Sequence, residues 1–149
     1  MGTFSKNGFT LMELIIAMTI VAILAGALLS NFFSSMAKGR DSRRKQDLEQ
    51  IGKALELYYN DNRAYPTSMP AAGSSLTNTG STVIYMQKIP KDPKTGYTYT
   101  FVAPANGGNF KLYSCLENSN DDAIIPGLTV ACGGCNPCKY GISSSNTTP

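Results

Sequence analysis

From Phe9 to Leu29 the chain reads FTLMELIIAMTIVAILAGALL, and the one charged side chain in that run is Glu13. Wound at about 1.5 Å per residue, such a segment covers a hydrocarbon core of about 30 Å, so it predicts a membrane-spanning helix. It is longer than the apolar core of a usual secretory signal. A carboxylate in such a run is costly, about 2.5–3.5 kcal/mol for Asp at the centre of a span and less near the interface. Ionisable groups in that setting are normally paired, so a cation on a neighbouring helix is the expected partner of Glu13.

Beyond the span there is room for one modest core. The chain has 149 residues, of which 42% are hydrophobic and 15% charged, so one small globular domain is expected and two full domains are not. A formal net charge of +3 is too small to mark a nucleic-acid binder. There is no histidine, which excludes imidazole-based acid–base catalysis, Ser-His-Asp and Cys-His nucleophiles, and any imidazole metal site.

The helix is expected to continue past the apolar run. No proline occurs before Pro66, and Leu48, Ile51, Leu55 and Tyr58 recur at helical spacing, with Asp47, Glu49, Gln50, Lys53 and Glu56 largely off that stripe. One helix over residues 9–59 would be about 75 Å long. Gly26, Gly39 and Gly52 are candidate soft points in it, Gly26 foremost, or small residues that let helices pack closely. The basic run Lys38, Arg40, Arg43, Arg44, Lys45 is either a solvated collar that pairs with acids on adjacent subunits or a contact for anionic headgroups or DNA.

The remainder predicts an α+β domain. Asn60-Asp61-Asn62 ends the helix, a polar connection runs from Tyr65 to about Thr82, and Val83–Lys88 is too short to assign. Tyr97–Val102 and Phe110–Leu116 read as strands joined through Ala105-Asn106-Gly107-Gly108-Asn109, a hairpin, with Gly127–Cys132 as a third antiparallel strand.

Lys6-Asn7-Gly8-Phe9-Thr10-Leu11-Met12-Glu13-Leu14 resembles the class III signal of type IV prepilins and type II secretion pseudopilins. The run Ile51–Asn62 followed by Tyr65-Pro66-Thr67, and Ile89-Pro90 with Asp92-Pro93 and Gly96–Tyr99, resembles major pseudopilins. The resemblance implies the pilin fold, a long N-terminal helix packed on a small antiparallel sheet with, here, a disulfide-rich tail. It also implies that a membrane prepilin peptidase cuts between Gly8 and Phe9 and N-methylates Phe9. Glu13 would then meet the Phe9 amine of a neighbouring subunit during assembly, where opposite charges in low dielectric attract strongly. The leader would be residues 1–8, the spanning and assembly half of the helix 9–30, the amphipathic half 31–60, and the globular domain 61–149. Two alternatives compete: ordinary signal-peptidase cleavage at Ala25-Gly26-Ala27, and a plain signal anchor, which leaves Glu13 unexplained. The positive-inside rule would place the basic run in the cytoplasm, against the extracytoplasmic placement that the resemblance and the cysteines favour.

Cys115, Cys132, Cys135 and Cys138 make an even count, a departure from major pseudopilins, and two disulfides are the expected state. Three connectivities are open. Tying Cys115 to a tail cysteine would staple the C-terminus to the second strand. A four-thiolate zinc or iron–sulfur site, or a redox C-x-x-C, is the alternative. No cofactor is expected, with calcium in the Glu117–Asp122 loop as the alternative that the resemblance implies. That loop lacks the glycine and bidentate glutamate of an EF-hand, so a solvated turn is preferred. Asn146-Thr147-Thr148 fits a glycosylation tripeptide.

The chain is thus expected to be a structural subunit and not an enzyme: stored in the cytoplasmic membrane among lipid, cut by the peptidase, and polymerised with itself on a membrane assembly platform into a type IV pilus-like filament at the cell surface. DNA or other surfaces are further candidate partners. A pseudopilin of a secretion or DNA-uptake system is the alternative, and a monomeric membrane-tethered thiol or metal-binding domain the further one.

Overall fold

A computed structural model describes residues 8–78, 80 and 82–149 of the chain. Two compact units emerge, Met1–Met36 and Ala37–Pro149. Helix α1, Leu11–Asn62, contributes to both, and five short strands belong to the second: β1 Leu76–Thr77, β2 Ile84–Met86, β3 Thr100–Val102, β4 Lys111–Ser114 and β5 Tyr140–Ser143. This is an α+β pilin-like fold: a long N-terminal helix, small antiparallel sheets and a disulfide-bonded C-terminal segment.

In the first unit the described apolar side chains of α1 are exposed. Leu11, Met18, Val21 and Ile23 are each more than 60% exposed, and none of the apolar window is buried. In the second unit the helical stripe is covered as its spacing predicts. Leu48, Ile51 and Leu55 are fully buried against Phe110, Leu112, Ile89 and Leu76, while Tyr58 is half-buried and tilts on Tyr85. Gly52 belongs to this face too: a Cβ there would lie 2.9 Å from Ile142 Cδ1, so the glycine lets β5 approach the helix and is a packing residue.

The main sheet has the order β3-β4-β5, all antiparallel, with Phe101 opposite Leu112 and Leu112 opposite Ile142. Because alternate residues of a strand face opposite ways, the central strand serves two cores. Leu112 enters the helix-facing cluster, while Tyr113 enters a second cluster with Cys115, Cys132 and Cys138. A strand covered on both faces loses polar alternation, which is why Leu112, Tyr113 and Ser114 are all buried.

Three expectations about strands need correction. The third strand is Tyr140–Ser143, not Gly127–Cys132, because the latter is bent into a loop. There Cys138 N–H donates to Val130 O at 2.7 Å, Cys132 exchanges backbone bonds with Cys135, and the Cys132–Cys138 disulfide closes the bend. The first half of the expected Tyr97–Val102 strand leaves the hairpin, since Thr98 bridges to Gly133 of the tail. The polar connection before Thr82 contains β1, which pairs with β2 across a bulge.

Turn chemistry fixes the hairpin next to the helix end. Gly107 has φ of 62°, accepts a hydrogen bond from Tyr65 N–H at 2.8 Å, and has no room for a Cβ, which would sit 2.7 Å from Tyr65 O. That contact lets Tyr65 stack on Tyr59 and meet Phe110 edge-on.

The four cysteines form two bridges, Cys115–Cys135 and Cys132–Cys138. The first ties the segment after β4 to the tail across a sequence separation of 20, which favours about 3 kcal/mol of stabilisation from the constrained unfolded chain. Peptide mapping of the unreduced protein should recover these two pairs. Cys115→Ala with Cys135→Ala should lower unfolding free energy by about 2–5 kcal/mol in urea titrations.

Candidate functional site

At the N-terminus the first turn of α1 carries a reciprocal cap. Thr10 precedes Leu11, and its Oγ1 accepts from Glu13 N–H at 3.2 Å; in return Thr10 N–H and Oγ1–H donate to Glu13 Oε2 at 3.0 and 2.9 Å. This is the Thr-x-x-Glu capping box, in which two unpaired amide donors of the helix end are satisfied at once. The pattern lay open in the sequence beside the leader motif, and it alters the account of Glu13: its carboxylate has local donors before any neighbour arrives. Among the described residues beyond its chain neighbours, no atom lies within 4 Å of where a Cβ on Gly8 would stand, and Phe9 is 86% exposed. Lys6 and Asn7 of the leader lie outside the described residues.

In the second unit the charges make one hub. Arg44 is fully buried. Its Nε and Nη2 fork onto Asp92 at 2.8 Å each, and Nη1 donates to Asp41 at 2.7 Å and Glu117 at 2.8 Å. The guanidinium lies 5.0 Å from the Tyr97 ring centroid, a cation–π contact. Burial works against the charge, and the hydrogen bonds to Asp92, Glu117 and Asp41 outweigh it, so the pKa is raised. Asp41 also accepts from Glu117 N–H and Asn118 N–H, and Asp92 from Lys94 N–H. Arg40 forks onto Glu117, and Lys45 binds Asp121 at 2.6 Å. Nearby, Asp47 accepts from the Tyr99 hydroxyl at 2.6 Å, and burial followed by that bond holds the Tyr99 phenol far above its usual range.

These contacts revise two expectations. Arg40, Arg44 and Lys45 do not form a solvated collar awaiting partners, because carboxylates of the same unit neutralise them. The Glu117–Asp122 segment is not a freely solvated turn either, since Glu117 and Asp121 are held by cations and Asn118 N–H by Asp41. All four cysteines are in disulfides, paired as Cys115–Cys135 and Cys132–Cys138, so neither C-x-x-C is closed on itself and no cysteine is a free thiolate in this structure. Asn146, of the glycosylation tripeptide, donates its side-chain amide to Gly108 O at 2.8 Å.

The model for the prokaryotic N-terminal methylation motif matches residues 3–29, which places the chain among proteins with a type IV pilin-like N-terminus. The model for type II secretion system protein G matches residues 31–123. Among curated relatives, the type II secretion system core protein G of Pseudomonas aeruginosa is 31% identical over 117 residues, covering 73% of this chain and 82% of the relative. Those of Escherichia coli and Vibrio cholerae are 27% and 28% identical, covering 75% and 73% of this chain and 82% and 79% of theirs. No solved structure matches at a significant level. The chain belongs to the type II secretion system protein G family. Of the two filament readings, the pseudopilin alternative is therefore favoured over the surface pilus.

Two outcomes test the hub. Arg44→Ala strands Asp41 and Asp92, both about 1% exposed, and should cost about 3–5 kcal/mol in chemical denaturation. The pH dependence follows from Glu117, whose carboxyl is lowered from 4.5 to about 2, chiefly by the Arg40 hydrogen bond and then by Arg44 and Lys94. A depressed folded pKa stabilises the fold fully above the unfolded value and loses that contribution as pH falls. Thermal scans should therefore show stability declining from about pH 4.5 towards pH 2, and Glu117→Gln should flatten that part of the profile.

Proposed function

We propose that the chain is a structural subunit, not an enzyme, of a type II secretion pseudopilus. It is held in the membrane by the apolar part of α1, cut after Gly8 by a prepilin peptidase, N-methylated at Phe9, and polymerised with copies of itself on a membrane assembly platform. The observation that carries this reading is the first unit itself: an apolar helix surface that no described residue covers, and one carboxylate, Glu13, positioned in its first turn. Lipid covers that surface before assembly and neighbouring helices afterwards. Cleavage at Gly8 creates an amine at Phe9, the cation that an intramembrane carboxylate requires. The relatives' names support secretion over adhesion, and the globular unit's internally paired charges support a carrier of structure over a catalyst.

The capping box sharpens the role of Glu13. Its removal takes away a helix cap worth about 1 kcal/mol as well as a desolvated charge, so membrane insertion should be nearly unchanged. Assembly should fail, because each neighbouring Phe9 amine is then stranded at about 3–5 kcal/mol per contact. In cells that express both chains, tagged Glu13→Ala subunits should accumulate in the membrane and be missing from sheared polymer, whose subunits begin at N-methylated Phe9 by mass spectrometry. Replacing Gly8 with a bulky residue should leave uncut precursor. Incorporation of Glu13→Ala at the wild-type level would remove the charge from the mechanism.

A further inference from the structure

The Glu117–Asp122 segment is where the family resemblance implies calcium, and the residues present do not fit that ion. Calcium takes about six to eight oxygen ligands at about 2.3–2.6 Å. Here the oxygens already have donors. Both Oε atoms of Glu117 accept from the Arg40 fork, at 2.8 and 2.7 Å, and Oε1 also accepts from Arg44 at 2.8 Å. Asp121 Oδ1 accepts from Lys45 Nζ at 2.6 Å and from Ala123 N–H at 2.9 Å, and Asn118 Oδ1 accepts from Asn120 N–H at 3.2 Å. That leaves the exposed Asp122, and one carboxylate cannot surround a divalent ion. Among the described residues no three acidic or sulfur side chains converge as metal ligands.

Lys45 does what a bound ion would do. It projects from α1 beside the hub, and its ammonium reaches Asp121, 76 residues on, while lying 5.9 Å from the Tyr140 ring centroid of β5. The pair is partly sheltered, with side chains 28% and 18% exposed, so salt screens it less than a pair in open water. Asp121 in turn orders the backbone after it. Its carboxylate takes Ala123 N–H, its carbonyl takes Ile124 N–H at 3.1 Å, and Ile125 N–H then reaches Lys139 O at 2.9 Å, next to β5. A cation held at Asp121 Oδ1 therefore ties this loop to the helix and leads it to the sheet. A divalent cation brought to the same oxygen would meet the ammonium at close range and be repelled.

We propose that Lys45 is a tethered counter-ion that takes the structural place of a divalent cation in the Glu117–Asp122 loop, so that the globular unit folds without calcium. A covalently attached cation has no binding equilibrium to satisfy and is not removed by dilution or chelation, so the order of the loop is independent of the surrounding calcium concentration. This holds whether or not the chain polymerises.

The full-length chain in detergent, with its disulfides intact, is the material for the test. Its melting temperature should be the same in excess EGTA and in millimolar calcium chloride, and equilibrium dialysis should find no stoichiometric calcium. A fold that depends on a bound ion would instead lose at least roughly 4 °C in the chelator. Lys45→Met keeps the length of the side chain and removes its charge, so amide hydrogen exchange across residues 117–125 should speed up by at least about fivefold in EGTA. Lys45→Arg, which keeps the cation, should stay within about twofold of wild type. Stoichiometric calcium with a chelator-sensitive melt overturns the tethered counter-ion. Wild-type exchange in Lys45→Met overturns it as well, because the Asp121 turn would then hold the loop unaided.

Discussion

The Arg44 guanidinium sets the geometry of the globular unit, because one planar fork satisfies carboxylates from three segments that have little else in common. Asp41 comes from the helix, Asp92 from the loop before β3 and Glu117 from the segment after β4. Such a cluster is not a cheap source of stability, since well-packed apolar side chains of similar volume often do as well. What it provides is direction. Hydrophobic burial of Leu48, Ile51 and Leu55 draws the sheet onto the helix but tolerates sliding, whereas five donors in a fixed plane accept a single arrangement of acids. Asp41 extends that order to the backbone by accepting from Glu117 and Asn118 N–H, so the loop after β4 is held at its amides as well as at its side chain.

How much of this could be read from the chain depended on how local the cause was. The stripe Leu48, Ile51, Leu55 was legible because helical period is local, and the burial matches it. The hub was not. Arg44 sits in a run of five basic residues that looks solvated, and its partners are 48 and 73 residues away, so only the i,i+3 pair with Asp41 left a trace in sequence. The capping box was legible and overlooked: Thr10 and Glu13 stand at its spacing, but an apolar context directs attention to the cost of the charge instead of its donors. Strand β5 was hidden by Gly141, which weakens the strand pattern yet is required by the Tyr113 ring lying 2.7 Å from where its Cβ would be. Cysteine spacing left three pairings open, and the choice came from long-range packing around Tyr113.

The disulfides and the hub divide one task. A sheet of three short strands has two faces, and a chain this size has enough apolar side chains to cover one well. The helix covers the Leu112 face. The Tyr113 face is closed by a tail of low apolar content, held by Cys115–Cys135 and Cys132–Cys138 and by single backbone bonds such as Thr98 N–H to Gly133 O. Covalent closure substitutes there for a second hydrophobic core, the same solution that small secreted domains adopt. It also makes the fold depend on oxidised cysteines, three of which lie beyond residues 31–123, the part that the family model matches.

The two units then have opposite accounts of their own surfaces. In the second, most charged and aromatic groups find partners within the unit, so it can reach its fold as a monomer. In the first, side chains such as Leu11 and Ile23 remain exposed, and Glu13, its one charged side chain among the described residues, is held by a cap that satisfies the helix end without neutralising the carboxylate. A subunit built this way separates folding from assembly. Nothing that stabilises the globular unit is spent when neighbours arrive, and burial of the helix can drive polymerisation without unfolding anything. Burial alone would leave the orientation of successive subunits loose, since apolar contact is proportional to area and indifferent to angle. Under the proposed assembly a charge supplies the angle, and Glu13, capped in the first turn of the helix, is the charge placed to do so.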